Sequence, residues 1–116
     1  MSVDQMLWHV NQVMVTSLGL ETMIQDKAPL PRPVMKFIVL RLPWPKSAPT
    51  NPGFLATGQY DFEAERARCM TLIGQVVDRP IEGQWTEHPM FGKMSGREVS
   101  GLMAKHLNHH LGQFGV

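Results

Sequence analysis

The sequence predicts an all-α domain, on three observations. Three segments repeat apolar residues at helical spacing, and two capping-box pairs, Ser2 with Gln5 and Ser95 with Glu98, mark helix starts. The most strand-like run has no second run to pair with. A chain of 116 residues with 43% hydrophobic content can bury a real core but is too short to divide, so residues 1–116 are read as one domain.

The first element runs from about Val3 to Ser17. At about 100° per residue, Val3, Met6, Val10, Val13 and Met14 share a face, and His9 stands at its edge. Trp8 points nearly the other way. Something is expected to cover it, either another part of the chain or a partner subunit.

Residues 28–53 contain seven of the nine prolines, which excludes a long regular element there. Between Pro33 and Pro43, "VMKFIVLRL" has room for about two helical turns, and Pro33 suits the first position of a helix. An apolar strand is the competing assignment. The following "PWPKSAPTNPG" reads as an extended surface loop.

From Asp61 the helical period returns, with Phe62, Cys69, Leu72, Ile73, Val76 and Val77 in one stripe and Glu63, Glu65, Arg66 and Arg68 largely opposite. Pro80 follows its end. "IEGQWTEHPMFGK" reads as a loop rich in turn formers, and the last helix is expected from about Gly96 to Leu111. There is no internal repeat.

Composition excludes several classes. The formal charge of +1 comes from 11 basic and 10 acidic residues with no block of one sign, so neither nucleic acid nor an anionic membrane is indicated as a partner. No apolar run approaches the ~20 residues of a membrane span, and "MSVDQMLWHV" lacks the order of a signal peptide. A soluble, cytoplasmic protein is expected. The single Cys69 cannot form an intrachain disulfide, in keeping with a reducing compartment.

The chemistry gathers in "KHLNHHLGQF", residues 105–114, with three of the five histidines. Taking Val99 as the origin of the wheel, His106 and His110 fall within about 20° of it, in the middle of the apolar stripe, and His109 lies at about 80°, on its margin. A lone histidine at a core edge is usually a hydrogen-bonded side chain, and either residue alone would be read so. Two together are harder to bury, because each unpaired polar group costs about 1–3 kcal/mol. A shared cation meets both needs, as in helical zinc motifs with histidines at i and i+4.

A third ligand is then required. His9 is the best candidate, since it stands beside the apolar face of another helix. His88, in "EHPMFG", is the rival, better read as bonded to the backbone or lining a pocket mouth. His109 reads as a partly exposed residue or as a partner that orients a ligand.

"HLNHHLGQF" resembles the His-x-x-His-His segment with a following Gly-Gln pair that ends the DinB/YfiT-like superfamily of helical metalloproteins. "DFEAER", "HPMFGKMSGRE" and "HLNHHLGQFG" together further resemble a branch known mainly as a domain of unknown function; with "QMLWHVNQ" the resemblance covers most of the chain. It implies a four-helix bundle, and a divalent metal held by His9, His106 and His110, the residues the wheel selects. The family has a helix before the one carrying the first ligand, whereas this sequence starts almost at that ligand. A truncated start, a genuine shortening, or replacement by residues 34–42 or a partner subunit would account for this. A homodimer is expected, since a bundle missing one wall exposes apolar surface.

Three neutral histidines leave a coordination position open, as in catalytic zinc sites, and a thiol bound there becomes a nucleophilic thiolate. Members of the superfamily include S-transferases and isomerases that use low-molecular-weight thiols, so the resemblance implies metal-assisted thiol transfer. Zinc or nickel suits the nitrogen donors best, and iron is compatible with them. The catalytic residues are not legible. Neither Glu21 nor Glu87 is announced as a base by a motif, Cys69 and Met103 read as core residues, and "FGKMSG" lacks the spacing of a phosphate loop. Two rival readings stand beside the transferase: a noncatalytic helical dimer whose metal is structural or absent, and a metal-dependent hydrolase that would act without added thiol.

Overall fold

A computed structural model describes residues 2–20, 30–44, 56–88 and 91–115. The described residues are mostly helical. In chain order they form α1 (Val3–Ser17), α2 (Arg32–Arg41), α3 (Phe62–Asp78), β1 (Gln84–His88), β2 (Gly92–Ser95) and α4 (Gly96–Gly112).

At the start of α1 the backbone N–H of Ser2 donates to Gln5 Oε1 (3.0 Å), as the capping box requires. Met6, Val10, Val13 and Met14 are buried as their spacing predicts, whereas Val3 is exposed. The segment before α3 lies along the outer side of α1. Gln5 Nε2 donates to the Gly58 carbonyl, and the Tyr60 N–H donates to the Asp4 carboxylate (2.9 Å). Trp8 stacks on Tyr60 with ring centroids 5.1 Å apart. The cover expected for this tryptophan is therefore part of the same chain.

The proline-flanked helix forms as α2, beginning at Arg32 with Pro33 inside its first turn, where a missing N–H costs nothing. It packs on α4 and β2. Lys36 reaches across to pair with Glu98 (2.8 Å) and to donate to the Lys93 carbonyl (2.9 Å). Trp44 is the last residue described in the loop that follows; the remainder of that predicted loop, residues 45–53, lies outside the described residues.

Asp61 caps α3 by accepting from the Ala64 N–H (2.8 Å). This helix lies against α1, fastened by Asn11 Nδ2 donating to the Glu65 carbonyl and by the Arg79 guanidinium donating to the Leu18 carbonyl. Only part of its predicted stripe is buried. Cys69 and Leu72 face α1, while Phe62 and Val77 are exposed. Cys69 is a core residue, its thiol pushed up by burial and by the Glu65 charge.

The stretch expected to be a loop before α4 is an antiparallel hairpin instead. Glu87 pairs with Lys93 and His88 with Gly92, with a bulge between Gln84 and Glu87. Gly92 turns the chain at φ +75°, a left-handed conformation open to glycine. Met94 and Phe91 enter the core while Lys93 faces out. So short a run carries too little alternation to register as a strand in the sequence.

The hairpin ends on Ser95, which caps α4. Its Oγ accepts from the Glu98 N–H, and Glu98 Oε1 accepts from the Ser95 N–H. At Gly96, an added Cβ would overlap Trp85 Nε1 and the Ile81 carbonyl. The indole cannot simply give way, because its Nε1–H donates to the Pro80 carbonyl (2.7 Å) and the Arg79 guanidinium lies over its ring. Gly96→Ala should accordingly cost about 1–3 kcal/mol, the range of overpacking in a fitted site. A urea titration checks this, and a midpoint equal to the parent's would show that the indole is free to move.

Candidate metal centre

Two elements build the site. α1 carries His9, and α4 carries His106 and His110 one turn apart on the face that also buries Val99, Leu102 and Met103. The capping box at Ser95 sets where α4 begins, and the apolar stripe turns the two histidines inward. All three imidazoles are buried, with 5–8% of their surfaces exposed.

Their Nε2 atoms converge. His106 Nε2 lies 3.0 Å from His9 Nε2 and 3.0 Å from His110 Nε2. The rings meet edge to face, with centroids 4.5–4.9 Å apart. Together they form a group able to hold a metal ion, with one donor atom from each residue. Four nitrogens at the usual zinc distance of about 2.0–2.1 Å stand about 3.3 Å apart in a tetrahedron, close to the spacing here.

His110 Nδ1 lies 3.0 Å from Gln113 Oε1, and Gln113 Nε2 lies 3.5 Å from His109 Nε2. On the other side, the Trp44 ring stands edge-on to His106 and His109, with centroids at 5.8 and 5.3 Å. Trp44 is held there because its Nε1–H donates to the Val39 carbonyl (2.8 Å). Lys105 fixes the same end of α2, donating from Nζ to the carbonyls of Val39 (2.8 Å) and Leu42 (2.6 Å) with its cation over the indole.

A family model described as a protein of unknown function (DUF1569) matches residues 2–115. The chain belongs to the DUF1569 family. No curated protein and no solved structure matches it significantly.

In this DUF1569 chain, the electrostatics keep His106 and His110 neutral. Burial lowers the pKa of His106 to about 2, reinforced by His9, His110 and His109 around it. Burial likewise lowers His110 to about 4, and the hydrogen bond to Gln113 opposes only part of that effect. Neutral imidazole is the form that binds metal.

The structure thus brings together His9, His106 and His110, and keeps the other two histidines out of the group. His88 is 1% exposed and stacked on Phe91, with centroids 4.6 Å apart, and burial lowers its pKa to about 4. His109 is half-buried beside the site. Glu21 lies outside the described residues. Sequence reasoning gave no role to Trp44, Lys105 or Gln113, although Gln113 belongs to the Gly-Gln pair that carries the resemblance. The first sat in a stretch read as surface loop, and neither of the others carries a periodic signal. Only the place of Gln113 one turn past His109 and three residues past His110 hinted at contact.

Proposed function

We propose that this DUF1569 protein binds one divalent cation through His9, His106 and His110 and uses it in thiol S-transfer. The observation that carries the metal reading is the double contact at His106 Nε2. A ring nitrogen offers either one proton or one lone pair, so it cannot satisfy two neighbours that both need the same thing. Three neutral imidazoles aimed at a common point leave lone pairs facing each other. A cation at that point turns the conflict into coordination, and the all-nitrogen donor set suits zinc or nickel, with iron third.

The thiol-transfer reading rests on the resemblance of "HLNHHLGQFG" and the upstream segments to the DinB/YfiT-like superfamily. A divalent ion held by three neutral ligands supplies Lewis acidity that lowers the pKa of a bound thiol. This chain's residues would hold the ion, with His106 and His110 kept deprotonated by burial and one side of the site shielded by the Trp44 ring.

The same reading takes the helices as a four-helix bundle in which α2 fills the wall expected to be missing. Its packing on α4 supports this. Homodimerisation is part of the proposal, supported by exposed Phe37 on α2 and by Met70 and Val77 on α3. No helix among the described residues is long and apolar enough to cross a membrane. We place the protein in the cytoplasm, in keeping with its lone buried thiol.

Elemental analysis of the purified protein, before and after incubation with zinc, nickel or ferrous iron, tests the metal reading. One ion per chain is the expected result. A chain that stays empty with all three ions overturns it. Loaded protein should then transfer low-molecular-weight thiols to an electrophile such as chlorodinitrobenzene. Ester hydrolysis without thiol would point to a hydrolase, and inertness in both assays to a structural metal.

A further inference from the structure

We infer that Gln113 is a positioning residue whose single side-chain amide sets the protonation pattern of two imidazoles, directing the Nε2 lone pair of His110 at the metal position. The inference rests on the metal-binding reading, but it concerns atoms of this chain alone.

The amide has one acceptor and one donor end, and the two ends meet different histidines. Gln113 Oε1, 3.0 Å from His110 Nδ1, can only accept, so the ring proton of His110 belongs on Nδ1. A neutral imidazole then carries its lone pair on Nε2, the atom that lies 3.0 Å from His106 Nε2. At its other end, Gln113 Nε2–H donates to His109 Nε2 across 3.5 Å, which places the His109 proton on Nδ1 as well.

Rotating the amide by half a turn would reverse both assignments at once. Its N–H would face His110 Nδ1, and the His110 proton would move to Nε2, into the histidine group where a cation has to sit. The geometry therefore couples the tautomers of His109 and His110 through one torsion. A hydrogen bond on the far nitrogen of a ligand histidine is the usual device for fixing ring orientation and raising donor strength, and its loss costs about 10–100-fold in metal affinity. Gln113 is exposed, so water can replace part of what it does, and the lower end of that range is expected here.

The test uses two variants of the full chain. Gln113→Met keeps the length and helix propensity of the side chain but removes the amide. Gln113→Glu retains an acceptor for His110 Nδ1–H. Long-range 1H–15N spectra of the chelated protein report which ring nitrogen of His110 carries the proton, and zinc affinity is read by competition with a chromophoric chelator. In the parent and in Gln113→Glu, the proton should sit on Nδ1. In Gln113→Met, the Nε2–H form should appear and zinc affinity should fall about tenfold, with the glutamate restoring it. Circular dichroism at equal helix content excludes simple fraying of α4.

An unchanged His110 tautomer together with parental zinc affinity in Gln113→Met overturns the inference. If the parent binds no zinc, the metal reading fails separately, and the tautomer shift in the metal-free protein still decides the role of Gln113.

Discussion

Replacing His106 by leucine should abolish metal binding while leaving the metal-free protein about as stable as the parent. His106 Nε2 lies within hydrogen-bond distance of the Nε2 atoms of both His9 and His110, so its removal deletes the centre of the donor set. The loss of affinity should exceed the about 10–100-fold that changing an outer partner of a ligand costs. Stability should move the other way from most core substitutions. The side chain is 8% exposed and so strongly desolvated that its pKa falls to about 2, and a leucine of similar volume carries no polar atom to bury. Exchanging a buried polar group for an apolar one of the same shape is neutral or stabilising only where no buried partner is left unsatisfied. His9 and His110 meet edge to face with ring centroids 4.7 Å apart and ligand nitrogens within 4.8 Å, close enough for a small ring rotation to pair them. Chelated parent and variant should therefore unfold within about 1 kcal/mol of each other in urea. An unfolded His106→Leu chain would mean that the imidazole braces the core, and a variant that still binds one ion would remove His106 from the site.

Acid should unfold the metal-free protein well above the pH at which its carboxylates protonate. His88, His106 and His110 are all held below the ordinary histidine value of about 6.5, by burial in each case. Between their folded and unfolded pKa values the unfolded chain binds more protons, so stability falls as pH decreases. The loss begins as pH drops below about 6.5 and continues to about 4 for His88 and His110, which then protonate even in the folded protein, and on towards about 2 for His106. Each such histidine contributes a limiting slope of about 1.4 kcal/mol per pH unit, so three together approach about 4. Against a domain stability of about 5–15 kcal/mol, that unfolds the chain between about pH 6 and 4. Urea midpoints of chelated protein across this range give the slope directly. A flat profile from pH 7.5 to 4.5 would show that these rings are solvated.

The legible parts of the molecule are those written in helical period. Val99, Leu102, Met103, His106 and His110 share a face on the wheel and are buried together, and both capping boxes mark helix starts. The α3 stripe was only half informative. Period finds which residues are apolar on a face, but among the described residues α3 packs chiefly on one helix, α1, and Val77 on the far side of the stripe is 74% exposed. The hairpin was invisible because its four-residue second strand gives at most two alternations, one of them through a glycine. The surroundings of the site were hidden for another reason. Trp44 and Lys105 meet across 61 positions of sequence, by contacts that no local pattern encodes.

The separation of His9 from His106, 97 positions along the chain, has a kinetic meaning. A chain emerging from the ribosome can complete every contact between α1 and α3 before α4 exists, but it cannot assemble the three-nitrogen site. The site forms only when α4 has docked on α1. An ion held there would close a loop of nearly the whole domain, the kind of closure that removes most freedom from an unfolded chain. Bound metal would then act as a certificate of docking, present on chains in which α4 has closed on α1 and absent from half-folded ones.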